Sequence, residues 1–192
     1  MDDGKCEILD LGAGTGELSL KLAHKFPQSH IKGLDISVSM IEKARRAAAK
    51  MRVSNVAFIV SSMEKAEIGR IDFAVSCLAF HHVANKELVI SNIYQALAED
   101  GKLVIGDWFK PCKNYRKNVQ DLRRRNPQRT KEFDRSWRQA LEAMSKEYGE
   151  KHPEEYPICP HRLEEMMRDA GFKKQCILET PPASFAVVIG KK

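Results

Sequence analysis

At 192 residues with 43% hydrophobic content, the chain is long enough for one compact α/β domain with a full core, and too short for two large ones. No apolar run reaches 18 residues, the start Met-Asp-Asp-Gly-Lys is not a signal peptide, and five scattered cysteines without a C-x-x-C pair suggest neither a disulfide framework nor a zinc ribbon, so a soluble, cytoplasmic protein with reduced thiols is expected. The net charge of +6 resides in residues 110–138, where eleven Lys/Arg face three Asp/Glu, and the remainder is slightly acidic.

The first strand is expected over about residues 6–11, running into Asp10-Leu-Gly12-Ala13-Gly14-Thr-Gly16 and a helix from Glu17 that carries Leu18, Leu20, Leu22 and Ala23 before Phe26-Pro27 stops it. Glycines without Cβ tolerate positive φ, so this turn predicts main-chain amides close to a nucleotide-like ligand. A dinucleotide fingerprint is disfavoured, because its third glycine falls on Glu17. A strand over Ile31–Asp35 follows, then a helix capped by Ser37 with an apolar stripe of Ile41, Ala44 and Ala48. Strands are expected at Val56–Val60, Ile71–Cys77 and Lys102–Asp107, with a helix between the last two, capped by Asn85 and ending at Asp100-Gly101.

After Asp107 the strand–helix alternation fails over about residues 110–160, which reads as a helical insertion. Its expected parts are a basic helix near 114–125 and a second helix near 130–148. Phe133, Trp137, Leu141, Met144 and Tyr148 recur there at helical spacing. A helix at 161–170 closed by Gly171, and strands at 175–180 and 184–190 around Pro181-Pro182-Ala183, complete the chain. The short connection makes the last two strands antiparallel.

The pattern D-x-G-x-G-x-G at Asp10–Gly16 resembles motif I of the class I S-adenosylmethionine (SAM)-dependent methyltransferases. Asp35, nineteen residues after Gly16, Ile71–Val83 and Gly101–Asp107 resemble the family's later strands in the same order. The resemblance implies a Rossmann-like three-layer sandwich, a seven-stranded, mostly parallel sheet with its last strand antiparallel, within one domain over 1–192 that carries 110–160 as a lid. It implies that the backbone of Gly12 and Gly14, with Asp10 nearby, holds the methionine portion of SAM, Asp35 the ribose and Ile36 an adenine face, with Ala13 and Gly16 also binding the cofactor. Ser62 and Met63 stand where the family often has a Gly-Asp-Ala type sequence, without its carboxylate. Cys77 falls with Asp10, Asp35 and Asp107 at carboxyl ends of strands, where such sheets bind ligands. S-adenosylhomocysteine (SAH) is the implied product. Members of the family usually have a helix or two before motif I that closes over the cofactor, whereas here only about five residues precede the first strand.

The cofactor carries the hard chemistry, so the protein's part is alignment, with a base only where the acceptor must lose a proton. His81 and His82, just after the fourth strand, are the best-placed bases, since histidine exchanges protons near neutrality; a packing role for His-His-Val is the competing reading. Asp107, Trp108, Tyr148, Tyr156 and His161 are further pocket candidates. Cys159-Pro-His161 with Cys112 matches no metal-ligand signature, and no metal is expected. A small-molecule acceptor leads. An RNA methyltransferase would grip phosphates with Arg116, Lys117, Arg123, Arg124, Arg125 and Arg129, and a third reading is a non-catalytic SAM-binding interaction protein. A monomer or homodimer is expected.

Overall fold

The computed structural model describes residues 5–110, 155–179 and 185–192, with isolated helical positions at Arg124, Pro127, Gln128, Lys131 and Arg135. Of the expected features, the aromatic face Phe133–Tyr148, the basic side chains other than Arg124, Cys112 and the turn Pro181–Ala183 lie outside the described residues. The two insertion helices do so almost entirely.

The elements follow in the order β1 (Glu7–Leu11), α1 (Glu17–Lys25), β2 (His30–Asp35), α2 (Val38–Met51), β3 (Val56–Val60), β4 (Ile71–Cys77), a 3-10 turn (Phe80–His82), α3 (Lys86–Ala96), β5 (Leu97–Trp108), α4 (Pro160–Asp169), β6 (Lys174–Glu179) and β7 (Phe185–Lys191). The strands form one seven-stranded sheet ordered β3-β2-β1-β4-β5-β7-β6. Strands β1 to β5 pair in parallel, whereas β7 runs antiparallel between β5 and β6. The sheet is therefore of the expected kind, with its final strand reversed.

Side chains alternate across the sheet, so successive residues of a strand serve different layers. Ile8 and Ile31 pack with Ala23 of α1, and Phe58 packs with Leu20, Ile41, Ala44 and Ala48 of α1 and α2. Leu9, Leu11, Leu34, Leu103 and Ile105 point the other way, onto Val89, Ile90 and Ile93 of α3 and Leu163 and Met167 of α4. Both faces of β1 are buried from Ile8 to Leu11, which is why these residues are apolar apart from the buried Asp10.

Helix α2 begins where the sequence places it, with the Ser37 hydroxyl accepting from the Met40 amide, and Asn85 caps α3 by accepting from Leu88. One boundary is corrected. Helix α3 ends at Ala96 rather than Asp100-Gly101, and β5 begins at Leu97 rather than Lys102. The physical reason is tertiary: Leu97 is buried and pairs with Ile71, and the register shift before Phe73 is taken up around Asp100, at φ 64°. Local helical periodicity carries no trace of that pairing.

Candidate functional site

Strand order reverses between β1 and β4, and the loops leaving these strands and β2 and β3 open onto a cavity of about 570 Å³. That is within the usual range for small-molecule sites, and a crevice outside the carboxyl ends of the strands is where such sheets bind ligands. Gly12, Gly14, Asp35, Ile36, Ser62, Met63, His81 and His82 line it, and so do Glu64, Leu78 and Glu155. Asp10, Ala13, Gly16 and Cys77 are not among its lining residues.

The glycine turn works differently from the sequence expectation. The amides of Gly12 and Ala13 both donate to the Leu34 carbonyl, at 2.8 and 2.9 Å, and that of Gly16 donates to Ala13. Gly14 donates to Asp35 Oδ2 at 2.9 Å. These amides shape the loop instead of waiting for a ligand. The requirement for glycine is geometric. A Cβ on Gly12 would lie 2.2 Å from Ala79 Cβ, whereas one on Gly14 would meet nothing within 4 Å, at φ 53°. Gly12 thus lets the β4 loop close in, and Gly14 presents bare backbone to open space.

Asp35 is set by two amides, one on each oxygen: Gly14 on Oδ2 and Ser37, at 2.9 Å, on Oδ1. Each oxygen keeps a second lone pair, so the carboxylate is oriented in advance for a cis-diol. Ile36 is 73% exposed beside it, an apolar side chain held out at the cavity rim. Across from these, Ser61, Ser62, Met63 and Glu64 supply the β3 side. Together the bare glycine turn, the oriented carboxylate and the apolar rim fit an adenosyl group.

Asp10 lies beneath the loop, 1% exposed, accepting from the Ser19 hydroxyl at 2.6 Å. Burial raises its carboxyl from 3.8 to about 6, with Asp35 adding to the rise and Ser19 opposing it. A raised acid holds its proton better in the folded state, so stability present at low pH is lost as pH climbs from about 4 to about 6, an effect on the order of 3 kcal/mol. Asp10→Asn removes the ionisable group while keeping an acceptor for Ser19. We expect the variant to gain roughly 1–3 kcal/mol over the parent at pH 7.5 and nothing at pH 4. Urea unfolding at both pH values checks this, and equal stability at pH 7.5 would sink the assignment.

At the other end of the cavity, the 3-10 turn is pinned by Asp107 at the end of β5. Asp107 Oδ2 accepts the His81 amide and Oδ1 accepts both His81 Nδ1 and the Trp108 amide, all at 2.7 Å. A carboxylate accepts only, so Nδ1 carries a proton, and in the neutral imidazole Nε2 keeps a lone pair. His81 is 7% exposed and lines the cavity. Its carbonyl accepts the Tyr156 amide at 2.7 Å, which brings the segment holding Glu155 to the mouth. The ring of His82 lies 3.9 Å from that of His81, centroid to centroid.

Two features have no sequence signature. Lys86 looks like a solvated first-turn lysine, yet it is 3% exposed, its ammonium donating to the Val83 carbonyl and lying 5.8 Å from the centres of the Phe80 and Tyr156 rings. Burial lowers its pKa, and Asp107, Glu87 and Glu64 oppose that fall. Leu78, whose amide donates to Gly106, sits at φ 55°, a strained conformation for a side chain with a Cβ and one often found next to sites. Of the other pocket candidates, Trp108 stacks edge-on against Phe185, and His161 contacts Cys159 at 3.7 Å.

Residues 2–171 match a family described as "Methyltransferase domain". The chain belongs to this methyltransferase-domain family. It is 35% identical over 98 residues to a malonyl-[acyl-carrier protein] O-methyltransferase of Bacillus cereus, covering 50% of this chain and 35% of that one. With a demethylmenaquinone methyltransferase of Thermus thermophilus it shares 32% identity over 108 residues, 55% of this chain and 49% of the relative. The chain thus spans half or less of the length of these curated relatives. A solved SAM-dependent methyltransferase from Aquifex aeolicus superposes with a TM-score of 0.67 over 97% of this chain and 81% of its own, at 16% identity, a likeness of fold. Among the described residues of this methyltransferase domain, no helix is long and apolar enough to cross a membrane.

Proposed function

We propose that the protein is a SAM-dependent methyltransferase whose cofactor occupies the cavity at the ends of β1, β2 and β4, and whose acceptor is a small molecule entering beside His81. The observation that carries this reading is Asp35, a carboxylate fixed by two amides with a free lone pair on each oxygen, facing the same cavity as the bare turn of Gly14. Asp35 would hold the ribose hydroxyls, Ile36 and Met63 the adenine faces, and Ser62 a polar edge of the base. When bound, SAM supplies a methyl group activated by a positively charged sulfur.

The residues around the site suit that charge. Asp10, Asp107 and Glu17 all raise the Cys77 thiol, after burial as the largest cause, so the strand ends share a negative potential. Asp10 and Ser19 support the turn from below rather than touching ligand. His81 is favoured over His82 as proton acceptor, because Asp107 holds Nδ1 and so leaves Nε2 as the ring nitrogen open to a ligand in the cavity that His81 lines. Asp107 acts through His81 and is a positioning residue. The basic insertion remains an alternative grip for RNA, but no specific contact among the described residues favours it.

Calorimetric titration with SAM and with SAH tests the reading directly. Both are expected to bind at one site with dissociation constants below about 100 μM, the scale of a ligand mostly buried in a preformed pocket. Absence of binding by either compound would remove the cofactor assignment.

A further inference from the structure

We infer that the methyl acceptor is an amine that reaches the site as its ammonium ion. This rests on the preceding reading of the cofactor site and adds the chemical class of the second substrate. Two independent observations carry it.

The first is the charge of the walls. The described residues lining the cavity include three carboxylates, Asp35, Glu64 and Glu155, with His81 and His82, and no lysine or arginine. With Asp35 at the ribose position, Glu64 and Glu155 remain for the acceptor. Glu155 is brought to the His81 end of the cavity by the Tyr156 amide on the His81 carbonyl, and Glu64 follows Met63 on the β3 side of the same cavity. The buried Lys86 is not a lining residue, and its ammonium donates to the Val83 carbonyl. A carboxylate or phosphate on the acceptor would meet like charge with no cation among these walls. At about 5 Å and an effective dielectric near 20, one such pair alone disfavours an anion on the order of a hundredfold and favours a cation by as much.

The second is the imidazole. His81 is more than nine-tenths buried, its Nδ1 proton is spent on Asp107, and its Nε2 has no partner among the described residues although the residue lines the cavity. A buried acceptor left open is costly unless a ligand supplies the donor. An ammonium N–H does so, and it must lose a proton before its nitrogen can attack.

The step balances on these groups. The ammonium passes one proton to His81 Nε2, and the imidazolium so formed is stabilised across Nδ1–H by Asp107. The freed nitrogen lone pair forms the bond to the methyl carbon, and the electron pair of the breaking carbon–sulfur bond stays on sulfur. The charge of the sulfonium ends on the N-methylammonium product, and His81 returns its proton to water.

The test supplies methyl-labelled SAM and the protein with a small-molecule cell extract. The extract is split into cation-exchange-retained, anion-exchange-retained and unretained fractions, each assayed before and after acetic anhydride blocks primary and secondary amines. Label is expected in the cation-retained fraction, falling at least tenfold after acylation. Label in the anionic or neutral fraction, or no label anywhere, overturns the amine assignment, whereas cation-retained label that survives acylation assigns the acceptor as a tertiary amine. A binding readout stands beside it. With SAH bound, benzylamine is expected to bind at least tenfold more tightly than benzoate, and that preference to fall at least tenfold in the double variant Glu64→Gln with Glu155→Gln; benzoate binding as well as benzylamine argues against it. If SAH itself fails to bind, the cofactor reading is what fails. If SAH binds and label goes elsewhere, only the amine assignment does.

Discussion

Replacing His81 by asparagine is expected to lower kcat by about 10²–10⁴, the range for losing a positioned general base, while SAM affinity changes by no more than a fewfold. The separation follows from geometry. On the proposed reading His81 meets the acceptor at one end of the cavity, whereas the adenosyl contacts are assigned to Asp35, Ile36, Ser62 and Met63 at the other. Asparagine keeps a polar side chain near Asp107 but presents no basic lone pair. Asp107→Asn should lower kcat by a similar factor, because an amide no longer dictates that Nδ1 holds the proton, and it should also cost stability, since three donors converge on that carboxylate. His82→Gln is expected to change kcat by less than about tenfold, because it is His81 that engages the Asp107 carboxylate. Single-turnover methylation with each variant, alongside urea unfolding, separates lost chemistry from lost folding. If His82→Gln is the crippled variant and His81→Asn the active one, the assignment of the base is reversed.

Asp35→Ala is expected to weaken SAM and SAH binding by about 10²–10³, leaving the fold intact. Two hydrogen bonds from a charged acceptor to a diol are at stake, each worth about 1.5–3 kcal/mol when the acceptor is ionised. The variant also frees the Gly14 and Ser37 amides, so the turn loses the link that ties β1 to the start of α2. The specific signature is discrimination. Wild type should prefer SAH over its 2′-deoxyribose analogue by roughly tenfold or more, and Asp35→Ala should lose most of that preference. An unchanged preference in the variant would mean that the ribose lies elsewhere.

Much of the fold could be read in advance because strands β1 to β4 are short apolar runs bounded by turn residues, and helices α1 and α2 carry their own stops and caps. Ser37 and Asn85 act as caps through their own hydroxyl and amide oxygen, interactions that span three residues and need no tertiary context. The end of α3 was misplaced for the opposite reason. Leu97 to Asp100 continues a helical pattern locally, and only pairing with Ile71 and burial under the sheet make Leu97 a strand residue.

The site divides along the same line. Glycines at 12, 14 and 16 after an apolar strand point by spacing to a nucleotide-like ligand at the end of β1, and with the acids at 10 and 35 and the later strands they carry the family resemblance that implies SAM. Which of them face that ligand was not visible. Hydrogen bonds from Gly12, Ala13 and Gly14 to Leu34 and Asp35 join segments about twenty residues apart, and they turn the glycine amides inward and Asp35 outward. Asp107 and His81 stand twenty-six residues apart and meet only because β4 and β5 are parallel neighbours. Lys86 is buried with its ammonium 5.8 Å from the centres of the Phe80 and Tyr156 rings, the latter seventy residues away in sequence. The sequence by itself determined the strand and helix types and the family, since those depend on local pattern and spacing. The tertiary structure alone decided which lone pairs and charges face the cavity, because that depends on partners brought together across the sheet.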